Sequence, residues 1–149
     1  MSAFRAEALG TFSFSVETAA DAVFELVTPE GERRWDHSWD PRYLNTAAQK
    51  AGTVFETHDH GRYRVWLIDS LDVQRHRVRY VVVQPETTLT TIDVAVDAKG
   101  ENSSSVSVTY HRVSLSPSHD SAVRDFQGEL PHMADEWAQA FAAALRARR

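Results

Sequence analysis

The feature that most constrains this chain is the segment from Ser118 to Arg149. Its large apolar side chains fall at Val123, Phe126, Leu130, Met133, Trp137, Phe141 and Ala144, at intervals of 3, 4, 3, 4, 4 and 3 residues. That spacing keeps one face of an α-helix turned toward a core. No other stretch of the sequence supports a long amphipathic helix. Ser118 is placed to cap its start and Asp120 falls in the first turn. Arg146, Arg148 and Arg149 lie at the carbonyl end, so each charge has the sign that the helix dipole favours. Gly128 and Pro131 interrupt the pattern, because proline lacks the N–H that its turn requires. A kink, or two collinear segments, is expected there. About twenty residues from Pro131 and its lead-in span roughly 30 Å, enough to cross a small sheet.

The residues upstream supply that sheet. Gly10 to Glu17 alternates, with Phe12, Phe14 and Val16 on one side, the period of a half-buried strand. Thr18 is read as capping a short helix, Ala19 to Val27, that ends at Thr28-Pro29-Glu30-Gly31. A second helical turn is expected through Glu32 to Trp35. Trp35, Trp39, Pro41 and Tyr43 follow without a clean period, the composition of a wedge or a lid. From Gly52 onward, strands alternate with tight turns: Gly52 to His58, Tyr63 to Asp69, Val78 to Gln84, Leu89 to Asp97 and Ser105 to Val113. Six strands result, at least five of them consecutive and antiparallel. A sheet with one apolar face and one long helix to cover it make a two-layer α+β domain, residues 1–149, with the sheet curled round the helix.

Composition narrows the partners. The 149 residues fit one domain and carry a formal charge of −5, which gives no basic field for nucleic acid. Cysteine is absent, so disulfides and thiolate chemistry are excluded. Apolar runs such as Val65-Trp66-Leu67-Ile68 are too short to span a bilayer, and Met1 to Glu7 lacks a signal-peptide core. A cytoplasmic protein without a cofactor is the expectation.

The element order, together with Phe14-Ser-Val16, Asp21-Ala-Val-Phe24-Glu-Leu, Pro29-Glu-Gly-Glu-Arg-Arg-Trp35, Trp39-Asp-Pro-Arg-Tyr43 and Gly52-Thr-Val-Phe55-Glu-Thr57, resembles the START-like superfamily. This helix-grip group includes the pollen allergen Bet v 1, polyketide cyclases and aromatases. The resemblance runs over nearly the whole chain and looks closest to small bacterial members of the polyketide cyclase/dehydrase-like branch. It implies a six- or seven-stranded antiparallel sheet wrapped round the C-terminal helix. It also implies a hydrophobic cavity between them, framed by the two short helices.

Strand parity nominates the lining. Phe55, Val78, Tyr80, Val82, Ile92, Val94, Val96, Val106, Val108 and Tyr110 share the apolar side, facing Phe126, Leu130, Met133 and Trp137. For most of these, simple core packing is the competing reading. Tyr80, Tyr110, Met133 and Trp137 suit a pocket best, since buried tyrosine and tryptophan need polar partners and methionine adapts to irregular space. Trp35, Trp39 and Tyr43 are expected at the mouth. The strand Tyr63 to Asp69 has two inward faces open to it: Tyr63, Val65 and Leu67, which is favoured, or Arg64, Trp66 and Ile68. The first leaves a homodimer contact through Trp66 open; the second makes Arg64 an anchor for a carboxylate or phenolate. Glu56, His58 and His60 have His-x-His spacing but read better as a solvated hairpin shoulder than as a metal site. His111, and the Asp36-His37 pair, are weak acid–base candidates. A binding protein for a small hydrophobic molecule is the leading reading. A cyclase or dehydratase using Tyr80, Tyr110, His111 and Arg64, and a co-chaperone-like protein-binding domain, compete with it.

Overall fold

The computed structural model describes residues 5–147; Arg148 and Arg149, expected at the end of the long helix, lie outside them. The strands are β1 (Glu7–Val16), β2 (Arg42–Tyr43), β3 (Val54–Asp59), β4 (Arg62–Asp72), β5 (Arg77–Gln84), β6 (Thr88–Gly100) and β7 (Ser103–Ser114). They form one antiparallel sheet in the order β1-β7-β6-β5-β4-β3-β2. The segment expected to be wedge or lid therefore contributes a seventh strand, in which Tyr43 pairs with Phe55.

Two short helices follow β1. The first, α1 (Ala20–Glu25), starts at Ala19 without a side-chain cap, and the Thr18 hydroxyl donates instead to the Glu17 carbonyl at 2.8 Å. The expected Thr18 cap is thus absent. The second, α2 (Pro29–Glu32), begins where the first was expected to end. Thr28 caps it by accepting from the Gly31 N–H at 3.1 Å, and Pro29 occupies the first turn, where its missing N–H costs nothing. Gly31 is required there, because a Cβ at that position would collide with the Glu25 carbonyl.

The C-terminal arm begins as a 3-10 turn at Pro117–His119 and becomes α3 (Asp120–Phe126). After a second 3-10 turn at Gln127–Glu129 it continues as α4 (Leu130–Ala147). The break expected between Gly128 and Pro131 is this second turn. Pro131 cannot bond back to the preceding turn, so the backbone tightens there. Ser118 does not cap α3; its hydroxyl meets that of Ser116 at 3.0 Å. Gly10 on β1 lets the arm come close, since a Cβ there would overlap Leu130.

The parity assigned to β3, β5, β6 and β7 holds: Phe55, Val78, Tyr80, Val82, Ile92, Val94, Val96, Val106, Val108 and Tyr110 are all buried beneath the arm. In β4 the favoured face is reversed. Ile68 is fully buried, Trp66 packs on the core, and Tyr63 stands on the convex side, 37% exposed. Register explains it. The two-residue turn His60-Gly61, both at positive φ, pairs Asp59 with Arg62 and therefore Phe55 with Trp66.

Candidate functional site

The concave face of the sheet changes character along its strands. Paired positions run across it in ranks, each rank one layer deeper under the arm. One rank holds Phe12, Val108, Val94 and Val78, and the next Gly10, Tyr110, Ile92 and Tyr80. Beyond them lies a rank of Arg112, Thr90, Val82, Trp66 and Phe55, and Ser114 pairs with Thr88 past that. Inward-facing residues therefore go from hydrocarbon through tyrosine to arginine and threonine within three ranks.

At the apolar end the space is filled. Trp137 of α4 meets Phe12 edge to face at 5.3 Å, Phe141 meets Phe14 at 5.3 Å, and Trp35 wedges against both helix rings at 4.8 and 5.0 Å. At the polar end the space is open. A recess of about 180 Å³ is lined by Arg64, Trp66, Gln84, Thr88, Thr90, Ile92, Tyr110 and Arg112. It shares Arg64, Gln84, Thr88 and Arg112 with a second recess of about 250 Å³ that runs beneath His119, Ala122 and Val123.

Two guanidinium groups face this opening. The Arg64 side chain, 21% exposed, donates to Asp59 Oδ1 at 3.1 Å. Arg112 donates through Nε to Thr90 Oγ1 at 3.0 Å, and its guanidinium carbon sits 3.9 Å from the centre of the Phe126 ring. No carboxylate pairs with Arg112 among the described residues. Burial pulls both guanidinium groups below their ordinary values, with the neighbouring Arg62 adding to the effect at Arg64. Each stays charged at neutral pH; Glu129 acts on Arg112 from beyond pairing distance, so a partly desolvated cation without a paired counter-ion among the described residues faces the recess.

Trp66, Ile92 and Tyr110 also bound a smaller enclosed cavity of about 50 Å³, completed by Val27, Glu32, Tyr80, Val94 and Trp137. The Tyr80 hydroxyl donates to the Val27 carbonyl at 2.6 Å. Burial raises both tyrosine phenols, and at Tyr110 the positive charge of Arg112 works against that rise. Among the described residues the Glu32 carboxyl, half-buried, has neither a hydrogen bond nor an ion pair. Burial holds it well above the usual carboxylate range, and the charges of Asp36 and Asp59 push the same way.

No protein-family model matches the sequence, and no curated protein matches it either. Solved structures do match. Norcoclaurine synthase from Thalictrum flavum, in complex with dopamine and hydroxybenzaldehyde, superposes with a TM-score of 0.70 at 10% identity, over 97% of this chain and 90% of that one. Ara h 8.0201, a Bet v 1 homologue, gives 0.67 at 12% identity, over 93% and 99%. A protein from Thermobifida fusca solved by NMR gives 0.69 at 17% identity, over 91% and 94%. The fold is the Bet v 1-like helix grip.

Within that helix grip, six of the residues nominated by strand parity and the facing helix, Tyr80, Val82, Ile92, Val94, Tyr110 and Trp137, line the recess or the cavity. Phe55, Val108, Phe126, Leu130 and Met133 are packing residues of the core or its border. Trp35, Trp39 and Tyr43 do not form a mouth. Trp35 Nε1 donates to the Leu26 carbonyl at 2.7 Å and Trp39 Nε1 to the Pro29 carbonyl at 2.8 Å, with both rings turned inward, while the Tyr43 hydroxyl donates to Glu30. Tyr63 lies outside the pocket and donates to Glu56 at 2.8 Å. Trp66, considered for a dimer contact, is interior; its Nε1 donates to Thr57 at 2.9 Å and its ring stacks on Phe55.

The histidines settle elsewhere. His111 meets Glu7 at 3.0 Å on the convex face. Glu56 is engaged by Arg42 at 2.9 Å and His60 by Asp59 at 3.2 Å, so Glu56, His58 and His60 do not converge. Among the described residues no three His, Asp or Glu side chains come together as metal ligands, and no helix is long and apolar enough to cross a membrane. A larger groove, about 510 Å³, opens at the far end between Val16 to Thr18 and Ala138, Ala142 and Leu145. Ser15, Ala22 and Arg146 complete its lining.

Sequence reasoning missed Arg112, Glu32, Gln84, Thr88 and Thr90, and held the inward placement of Trp66 only as the less favoured alternative. Arg112 follows from parity, two residues beyond the inward Tyr110, and Trp66 from the hairpin register. Glu32 follows from neither, because it is carried by a helix whose placement depends on the contact of Gly31 with Glu25.

Proposed function

We propose that this protein binds a small amphipathic molecule with an aromatic or other flat apolar body and an acidic group. The body sits between Trp66, Ile92 and Tyr110, and the carboxylate or phenolate sits on Arg112, with Arg64 beside it. The observation that carries this reading is Arg112: a largely buried guanidinium, aimed into an open recess, bonded to a threonine and laid over an aromatic ring, with no carboxylate paired to it among the described residues. Retaining such a charge is costly unless an anion completes it, and guanidinium matches carboxylate geometry. The filled apolar end favours a compact ligand over a long lipid chain. The Bet v 1-like fold, shared with a norcoclaurine synthase solved with dopamine and hydroxybenzaldehyde, is compatible with small-molecule binding and does not choose the ligand.

The enzymatic alternative, a cyclase or dehydratase, keeps some support because Tyr110 and Glu32 bound one cavity, although His111 is removed from it. The inward packing of Trp35 and Trp39 counts against the co-chaperone-like reading.

The test is titration of the protein with 3-phenylpropionate, followed by intrinsic tryptophan fluorescence and calorimetry. Binding should be saturable and weakened about tenfold or more in Arg112→Met, the range expected for loss of a charge-assisted hydrogen bond. Equal binding of the amide of 3-phenylpropionate, or an Arg112→Met variant that binds as well as wild type, would overturn the assignment. Turnover of a bound carbonyl compound would move the reading toward the enzyme.

A further inference from the structure

Glu32 is the one group in this interior whose chemistry the anion site leaves unused. It is carried inward by α2, which Thr28 caps and Gly31 presses against the end of α1. Its carboxyl borders the enclosed cavity of about 50 Å³ together with Trp66, Tyr80, Tyr110 and Trp137. Four aromatic rings and one acid therefore bound a space that holds only a few water-sized atoms. Two of the neighbouring polar groups are already committed, the Tyr80 hydroxyl to the Val27 carbonyl and the Trp66 indole N–H to Thr57. Neither is left to satisfy Glu32.

The charges around this acid have one sign. Those acting directly on Glu32 are Asp36, from the turn that continues α2, and Asp59 of β3. Arg64 does not neutralise it, being hydrogen-bonded to Asp59 at 3.1 Å, and Arg112 is held at Thr90. A half-buried carboxyl among aromatic faces, with no cation of its own among the described residues, is an ion pair with its positive member missing. The rings contribute the same preference, since the face of an indole or phenol attracts a cation.

We propose that the enclosed cavity is an ammonium subsite: Glu32 receives the protonated amine of a ligand, and Trp66, Trp137, Tyr80 and Tyr110 enclose it. The site takes a primary aliphatic or arylalkyl amine, because a cavity of this size admits an –NH₃⁺ group and a methylene but no bulky quaternary head. On binding, the ligand's ammonium stays protonated, and any proton held by Glu32 leaves to solvent, which balances the charge. The subsite opens off the recess that Arg112 faces. It rests on the proposed function for its route of entry, and joins it in specifying a ligand with an amine deep and an acidic group at the mouth.

The test uses benzylamine and its neutral counterpart benzyl alcohol, titrated into wild type, Glu32→Gln and Arg112→Met. Glu32→Gln preserves the shape of the side chain, so folding is retained and is checked by circular dichroism. Wild type should bind benzylamine, with benzyl alcohol about tenfold weaker or worse, and Glu32→Gln should lose that discrimination while Arg112→Met keeps it. In wild type, calorimetry in two buffers of different ionisation enthalpy should show proton release that is absent in Glu32→Gln. Equal affinity for amine and alcohol in wild type would overturn the subsite, as would amine binding unchanged by Glu32→Gln. Because benzylamine carries no acid, its binding and the 3-phenylpropionate titration fail separately: loss of the second alone sinks the anion site, and loss of the first alone sinks this one.

Discussion

The two ends of the concave sheet are built on the same strands and face the same arm, yet one is closed and the other open. At the closed end β1 and β7 present Phe12, Phe14, Val106 and Val108, and α4 answers with Trp137 and Phe141, so ring packs on ring. At the open end, only two to four residues further along the strands, the sheet presents Arg112, Thr90 and Arg64 to the short helix α3. Stability and recognition are thereby assigned to neighbouring ranks of one surface. The closed end is rigid enough to hold the open one in shape, and the open end retains desolvated charge that a core would exclude.

The largest effect should come from disturbing the closed end. Phe141 is fully buried and touches Phe14, Trp35 and Trp137. Phe141→Ala should cost about 3–5 kcal/mol, the range for an aromatic truncated in a core that cannot collapse, and urea unfolding measures it. A loss under about 1 kcal/mol would mean that the rings repack freely, and that the distinction between a rigid and an open end is false.

This division also governs what could be read from the sequence. Closed-end residues announce themselves by period: helix spacing in the arm, alternation in β5 to β7, and a proline that dictates where the arm breaks. The open end was partly legible by the same means. Tyr110 inward makes Arg112 inward, and Phe55 inward with a two-residue turn at His60-Gly61 makes Trp66 and Arg64 inward. Weighing β4 by its own composition, in which both faces are apolar, hid what its hairpin partner decides. Two features were beyond periodicity. The seventh strand has two residues, too few to show a pattern, and its pairing depends on the reach of the loop after α2. Glu32 looks in sequence like any charged residue at a helix end. Only the three-dimensional packing of α2 turns it inward and gives it a cavity.

The second effect, intermediate in size, concerns that residue and depends on pH. The folded protein holds the Glu32 proton more tightly than the unfolded chain, because burial and then Asp36 and Asp59 raise it; Tyr80 and Tyr110, facing it across the cavity, remain neutral phenols throughout. The stability this contributes is fully present below the unfolded value of about 4.3. It is lost as pH rises toward the folded value, since the native state then binds more protons than the unfolded one. Glu32→Gln removes that slope. Urea midpoints should therefore fall between pH 5 and pH 8 more steeply in wild type than in the variant, with the variant the more stable at pH 8. Parallel profiles would place Glu32 in contact with bulk water, and the open end would then extend deeper than the ranks suggest.

The smallest effect on stability is expected at the centre of the open end, and it separates the two regions most cleanly. Arg112→Met removes a guanidinium that is hydrogen-bonded to Thr90 at 3.0 Å and laid over Phe126. Losing that bond costs about 1 kcal/mol, while replacing a desolvated, unpaired charge by a thioether of similar length returns a comparable amount. The urea midpoint should move by less than about 1 kcal/mol in equivalent free energy, even as 3-phenylpropionate binding weakens about tenfold or more. A destabilisation approaching that of Phe141→Ala would make Arg112 a structural member of the core, its charge satisfied by Thr90 and the Phe126 ring rather than waiting for an anion. Near-neutral stability with lost binding would instead mean that the two ends are energetically independent, so that ligand preference can change at Arg112 and its neighbours without a penalty in the aromatic packing beside them.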